Sequence, residues 1–209
     1  MQNIVKIVLS VFLSFTFTVL SASNKDFAVK NAATGISFPL KIGKLVRNRI
    51  TDFTERAPAL GIGYNYTTSG IYATIFIYNG GYREIPDSLE SEIFKHHFKI
   101  VEKDLYIFEQ RGEYRNLQKV LDEITCLTKN GPVKARHSEY IFMKNDMGVP
   151  LLSISESHIY LFVYKSHFIK IRYTYLIGKN KETALKQLQN LLKFLSDSIS
   201  ANKKGTTDK

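Results

Sequence analysis

Tryptophan is absent from the 209-residue sequence, and cysteine occurs once. A single thiol excludes a disulfide framework and any metal site built from several thiolates. Acidic residues are also scarce: 19 Asp and Glu stand against 29 Lys and Arg, a net charge of +10. No G-x-S-x-G elbow, H-E-x-x-H pair or P-loop occurs, which removes the common signatures of serine hydrolases, zinc proteases and nucleotide enzymes. The longest apolar run, Ile7 to Leu20, falls short of the roughly 20 residues that a membrane-spanning helix requires.

That run defines the first segment. Lys6 is the only charge within residues 1–23, and the run ends in the small residues Ser21, Ala22 and Ser23. A basic start, a short apolar centre and a small-residue end are the pattern of a secretory signal peptide. Retention of this segment as an anchor is the alternative. Export implies a periplasmic or secreted protein with no stable transmembrane span after cleavage. A lone Cys126 in an apolar stretch then reads as a buried, inert thiol.

Residues 24–35 are polar, small and aperiodic and read as a flexible leader, and residues 200–209 as a disordered basic tail. Between them, residues 36–199 form one expected domain. Strands are predicted at 45–54, 61–67 and 71–78, the last two joined by a turn at Thr68-Ser69-Gly70. A helix follows, capped by Asp87 or Ser88, with Phe94, Phe98, Val101, Leu105 and Phe108 at three- and four-residue steps. Gly112 ends it. Leu117, Val120, Leu121 and Ile124 suggest a second, shorter helix. Strands follow at 133–143, 149–164, with a bend near Ser155–Ser157, and 168–175. Ala184 to Ile199 then form an amphipathic helix.

Alternation divides each strand into two faces. Residues 71–78 present Ile71, Ala73, Ile75 and Ile77 on one side and Tyr72, Thr74, Phe76 and Tyr78 on the other. Strands that are apolar on both sides are expected to be covered on both sides. The fold class is therefore α+β: a three-layer α/β/α sandwich around an antiparallel sheet of about five to six strands, with helices on both faces.

The segments FPLKIGKLVRNRITDF, GIGYNY, IYATIFIYNGG and HFIKIRYTY, followed by a terminal helix, resemble a group of uncharacterised exported bacterial proteins with a Mog1/PsbP-like α/β/α sandwich fold. The resemblance covers about residues 36–199. It implies a non-enzymatic binding or assembly module and transfers no catalytic residue, because its motifs are strand edges and turns.

A surface of Tyr72, Tyr78, Tyr160 and Tyr164 beside Lys170 and Arg172 reads as a ligand-binding groove for a sugar polymer, a lipid or a peptide. The other reading packs these rings under a helix with their hydroxyls at its rim. Glu92 and His96, four apart on the first helix, are the metal candidates, but two ligands are too few without distant partners such as His137, His158 or His167. No metal or other cofactor is otherwise expected. Glu139 and Glu156 lie on strands and are placed to face each other across a hairpin. Ser157 and His158 point to opposite faces and so form no triad. The dispersed basic charge suits phospholipid heads, lipopolysaccharide or acidic wall polymers, and no nucleic-acid motif is present. Two functions follow: an exported, non-catalytic module that contacts an envelope protein or an anionic lipid or polymer, or a secreted hydrolase with an active site the sequence does not display.

Overall fold

The structure, a computed structural model, describes residues 27–129, 131–144, 153–178 and 181–207. The signal segment 1–23, the turn 145–148 and the start of the strand expected from Val149 lie outside the described residues. The strands are β1 (Val29–Lys30), β2 (Ser37–Phe38), β3 (Lys41–Ile42), β4 (Leu45–Asp52), β5 (Ile62–Thr68), β6 (Ile71–Tyr78), β7 (Tyr114–Cys126), β8 (Lys134–Lys144), β9 (Ser153–Tyr164) and β10 (His167–Leu176). The helices are α1 (Glu92–Gln110) and α2 (Lys181–Thr207). One eight-stranded sheet runs in the order β3-β4-β5-β6-β10-β9-β8-β7, every neighbouring pair antiparallel, and β1 and β2 form a separate pair.

The six strands expected from alternation are present, so the expected sheet of five to six strands is too small by its two outer members. β3 is a two-residue edge strand with too little sequence to alternate. β7 was expected to be a helix through Leu117, Val120, Leu121 and Ile124. It is a strand paired with β8, with register shifts between Arg115 and Gln118 and between Lys119 and Leu121. Each shift inserts a residue out of phase, which turns a two-residue period into the three-residue steps that resemble a helix. As an edge strand it is also largely exposed, so burial imposes little pattern on it. β9 passes Ser155–Ser157 with continuous pairing on both sides, without the expected bend.

Local chemistry sets the tight turns. Lys165 and Ser166 both have positive φ, +50° and +56°, the twist that a two-residue hairpin loop between β9 and β10 needs. α1 starts one turn later than expected: Ser91, rather than Asp87 or Ser88, is the N-cap, its hydroxyl accepting from Phe94 N at 3.2 Å. Its end is closed by Gly112 at φ +75°.

Two cores result. Phe94, Phe98, Val101 and Leu105 of α1 cluster with Tyr140, Phe142, Ile159, Leu161 and Phe168. Leu188, Leu191, Leu195 and Ile199 of α2 cluster with Tyr64, Ile75, Phe162, Ile169, Ile171 and Tyr173. Adjacent β10 residues Phe168 and Ile169 belong to different clusters, as strand alternation requires. Tyr140 donates to Glu102 Oε1 at 2.7 Å and Lys119 Nζ donates to the same oxygen at 2.9 Å, fixing α1 to the sheet.

Both expected terminal segments are more structured than their composition suggested. Within the leader, Val29 pairs with Phe38 and Lys30 with Ser37. Asn31 and Thr34 are buried, and Asn31 Nδ2 donates to the Tyr64 hydroxyl at 3.1 Å. The Arg47 guanidinium donates to Phe38 O at 2.5 Å and Phe27 O at 3.0 Å. Side-chain partners from the domain, invisible to an apolar count, hold this strap. The expected tail is helical as far as Thr207, α2 running on through Gly205. No helix among the described residues is long and apolar enough to cross a membrane.

Candidate functional site

The cross-strand register of β6, β10 and β9 builds the site. Phe76 lies opposite Lys170, Thr74 opposite Arg172, and Arg172 opposite Ile159, so these side chains emerge on one side of the sheet. The C-terminal half of α1 faces them with Val101, Asp104, Leu105 and Phe108. Between helix and sheet lies a half-open cavity of about 130 Å³. An engineered apolar cavity of about 150 Å³ holds benzene, so this one accepts a ring-sized apolar group.

Its polar lining is basic in balance: Lys170, Arg172 and Arg111 against Asp104. Among the described residues Lys170, Arg172 and Asp104 form no ion pair within 4.0 Å. The Lys170 ammonium instead lies 4.8 Å from the Phe76 ring centre and 5.8 Å from that of Tyr78. The Arg172 guanidinium lies 5.5 Å from the ring centre of Phe108 and donates to the Tyr114 hydroxyl. Cations held over aromatic faces keep donors free for a ligand. Burial pushes the Lys170 ammonium below its usual range, with Asp104 opposing and Arg172 adding to the effect. Burial likewise raises the Asp104 carboxyl, against the pull of Lys170 and Arg172.

The expected groove is divided by register. Tyr160 lies opposite Ile171, so Tyr160 and Tyr164 belong to the α2 side of the sheet, away from Lys170 and Arg172. Tyr160 stacks on His137 at 4.1 Å. Tyr164 lines a second cavity of about 400 Å³ with Phe162, Val133 and Ile199. Tyr78 is buried beside the first cavity, its hydroxyl 2.9 Å from His97 Nε2. Tyr72 is 58% exposed at the end of β6, near Lys144. Only Lys170 and Arg172 of the six line the cavity.

Asp104 and Tyr114 were missed. Asp104 had a visible signal: it falls three residues after Val101 and four before Phe108, inside the apolar stripe of α1, where a carboxylate is out of place. Tyr114 carried none, because it opens the strand expected to be helical.

The metal candidates of α1 do not converge. Glu92 is exposed and 3.5 Å from Lys95 Nζ, His96 is exposed, and no third ligand joins them among the described residues. His167 Nδ1 lies 2.8 Å from Lys165 O in the hairpin turn. Glu139 lies opposite His158 and Ile141 opposite Glu156, so the two carboxylates are diagonal rather than face to face. Ser157 and the Thr174 hydroxyl bond at 2.8 Å on the other face from His158. Cys126 is half-buried rather than buried, because it ends the edge strand β7.

No family model matches the chain, and no curated protein matches it. Among solved structures it is similar to the solution structure of cyanobacterial PsbP (CyanoP) from Synechocystis sp. PCC 6803. That match has 9% sequence identity and a TM-score of 0.44, and covers 83% of this chain and 94% of the other.

Proposed function

We propose that this protein is an exported, non-catalytic binding module of the bacterial envelope, periplasmic or secreted, that takes an anionic ligand in the cavity between α1 and the sheet. The reading includes a single domain of three layers, with α1 over one face of the sheet and α2 over the other, and removal of residues 1–23 on export. One observation carries the ligand class: Lys170 and Arg172 face an apolar cavity without an ion-pair partner among the described residues. An anion entering there replaces lost hydration with two charge-assisted contacts, while its apolar part meets Phe76, Leu105 and Phe108. The cavity size limits the enclosed part to about one ring, so a larger envelope lipid, polymer or protein side chain presents only its tip.

Benzoate and benzamide test this directly by calorimetry and amide chemical-shift mapping. Benzoate is expected to perturb residues around Lys170 and to bind at least about tenfold more tightly than the neutral amide. The double variant Lys170→Glu, Arg172→Glu is expected to abolish the difference. Equal binding of the two probes, or full binding by the double variant, refutes the proposal. Fractionation of the native host with N-terminal sequencing tests the export element: a start near Asn24 in periplasm or medium supports it, and an intact Met1 in the inner membrane refutes cleavage.

The hydrolase reading has one observation in its favour. Asp104 and Lys170 are both shifted toward neutrality inside one cavity, the pairing an acid–base site uses. It requires turnover of an ester or amide that Asp104→Asn removes without loss of folding.

A further inference from the structure

The α2 side of β8 and β9 holds a second grouping, separate from the cavity. His137 and Glu139 alternate onto one face of β8, and Glu156 and His158 onto the facing side of β9. Glu139 lies directly opposite His158, and His137 lies opposite Tyr160, which brings the two imidazoles together diagonally. His137 Nε2 and His158 Nδ1 are 3.1 Å apart, and Glu139 Oε2 is 3.8 Å from His158 Nδ1. One ligand atom each from His137, Glu139 and His158 lie within 4.8 Å of one another. Ligand atoms around a tetrahedral zinc ion at the usual bond lengths sit about 3.3 Å apart, so the spacing brackets what such an ion needs.

The outer nitrogens complete the argument. His137 Nδ1 is 3.4 Å from Glu123 Oε1, and His158 Nε2 is 3.2 Å from Glu156 Oε1. Each histidine is thus backed by a carboxylate on the nitrogen that points away from its neighbour. This is the arrangement that fixes the tautomer of a metal-bound imidazole. Two neutral rings carry two ring protons for three contacts: Glu123 to His137, His137 to His158, and His158 to Glu156. With both ring N–H groups donating to the carboxylates, two lone pairs meet at the inner contact, which is unfavourable unless a cation lies between them. The Tyr175 hydroxyl and Lys181 Nζ, the latter at 2.9 Å, both donate to Glu156 and hold it in place behind His158. The histidines are buried, while the Glu139 side chain retains 21% exposure and gives a route from solvent.

We propose that His137 Nε2, His158 Nδ1 and a Glu139 carboxylate oxygen bind a borderline divalent cation of the Zn²⁺ class, with water as the fourth ligand. Glu123 and Glu156 are positioning residues for the two imidazoles. The ion joins the inner strands β8 and β9 near the start of α2, where Lys181 holds Glu156. Two imidazoles and one carboxylate, with no thiolate, favour Zn²⁺ over Mg²⁺ or Ca²⁺.

The test uses the untagged full chain, stripped with chelator and titrated with zinc sulfate at pH 7.5, with magnesium chloride as comparison. One saturable zinc site per chain and a zinc-dependent rise in thermal midpoint are expected. Glu139→Gln is expected to weaken binding at least about tenfold and His137→Gln at least about 100-fold. X-ray absorption of wild-type protein carrying one equivalent of zinc needs no variant to fold, and is expected to show two imidazoles with oxygen completing the shell. The absence of a saturable zinc site, undiminished affinity in both variants, or an absorption spectrum without imidazole scattering overturns the assignment. Because the benzoate cavity shares none of these residues, failure of either proposal leaves the other standing.

Discussion

Lys170 and Phe76 are directly paired across β10 and β6, with the ammonium 4.8 Å from the centre of the ring. The aromatic face offsets only part of the ammonium's lost hydration, and Asp104 is too distant to supply the rest as an ion pair. Lys170→Met is therefore expected to raise unfolding free energy by about 1 kcal/mol while weakening benzoate binding. Urea denaturation and calorimetry on the same variant read the two effects. A stability loss above about 1 kcal/mol would show that the lysine is held for structure rather than for a ligand.

His97 gives a pH signature. Its ring stacks on Phe168 at 4.0 Å, and burial, with Lys170 and His96 nearby, lowers its pKa from 6.5 to about 3. Below pH 6.5 the unfolded chain accepts a proton that the folded ring refuses. Its contribution is thus intact above pH 6.5 and is lost as pH falls toward 3. The loss from this group at pH 4.5 is about 2–3 kcal/mol. Urea midpoints of wild type and His97→Gln at pH 7 and 4.5 check it: the variant is expected to lose less on acidification.

Arg47 ties the N-terminal strap to the sheet through Phe38 O and Phe27 O. Arg47→Met leaves the buried Phe38 carbonyl without this partner and is expected to cost about 2–3 kcal/mol. Limited proteolysis should then cut near residues 27–35 first. Arg49→Met, at an exposed position of the same strand, is the control and should cost under about 0.5 kcal/mol.

Gly61 and Gly112 both have positive φ, +61° and +75°. A Cβ at Gly61 would lie 1.9 Å from Ile77 O, whereas one at Gly112 meets nothing within 4 Å. Gly112→Ala is expected to cost about 1 kcal/mol from backbone strain alone. Gly61→Ala should cost about 3 kcal/mol or more, because β5 and β6 must separate. Thermal unfolding of the two variants separates strain from contact, and equal losses would contradict the close approach of Gly61 to β6.

Features that depend on neighbours along the chain were legible in the sequence before any fold was known. Alternation located β4, β5, β6, β8, β9 and β10, and the three- and four-residue period located both helices, because burial of one face repeats with the local geometry of each element. It also marked Lys170 and Arg172 as cations on an otherwise apolar strand. Tertiary structure decided everything that depends on register and on partners far along the chain. It separated Tyr160 and Tyr164 from Lys170, brought Asp104 onto the cavity, and set His137 beside His158. It also made β7 a strand, since two bulges had erased its period. A pattern of two or 3.6 residues states which side chains share a face. Which faces then meet, and at what offset, is fixed by strand pairing between distant segments, and that pairing carries no local mark.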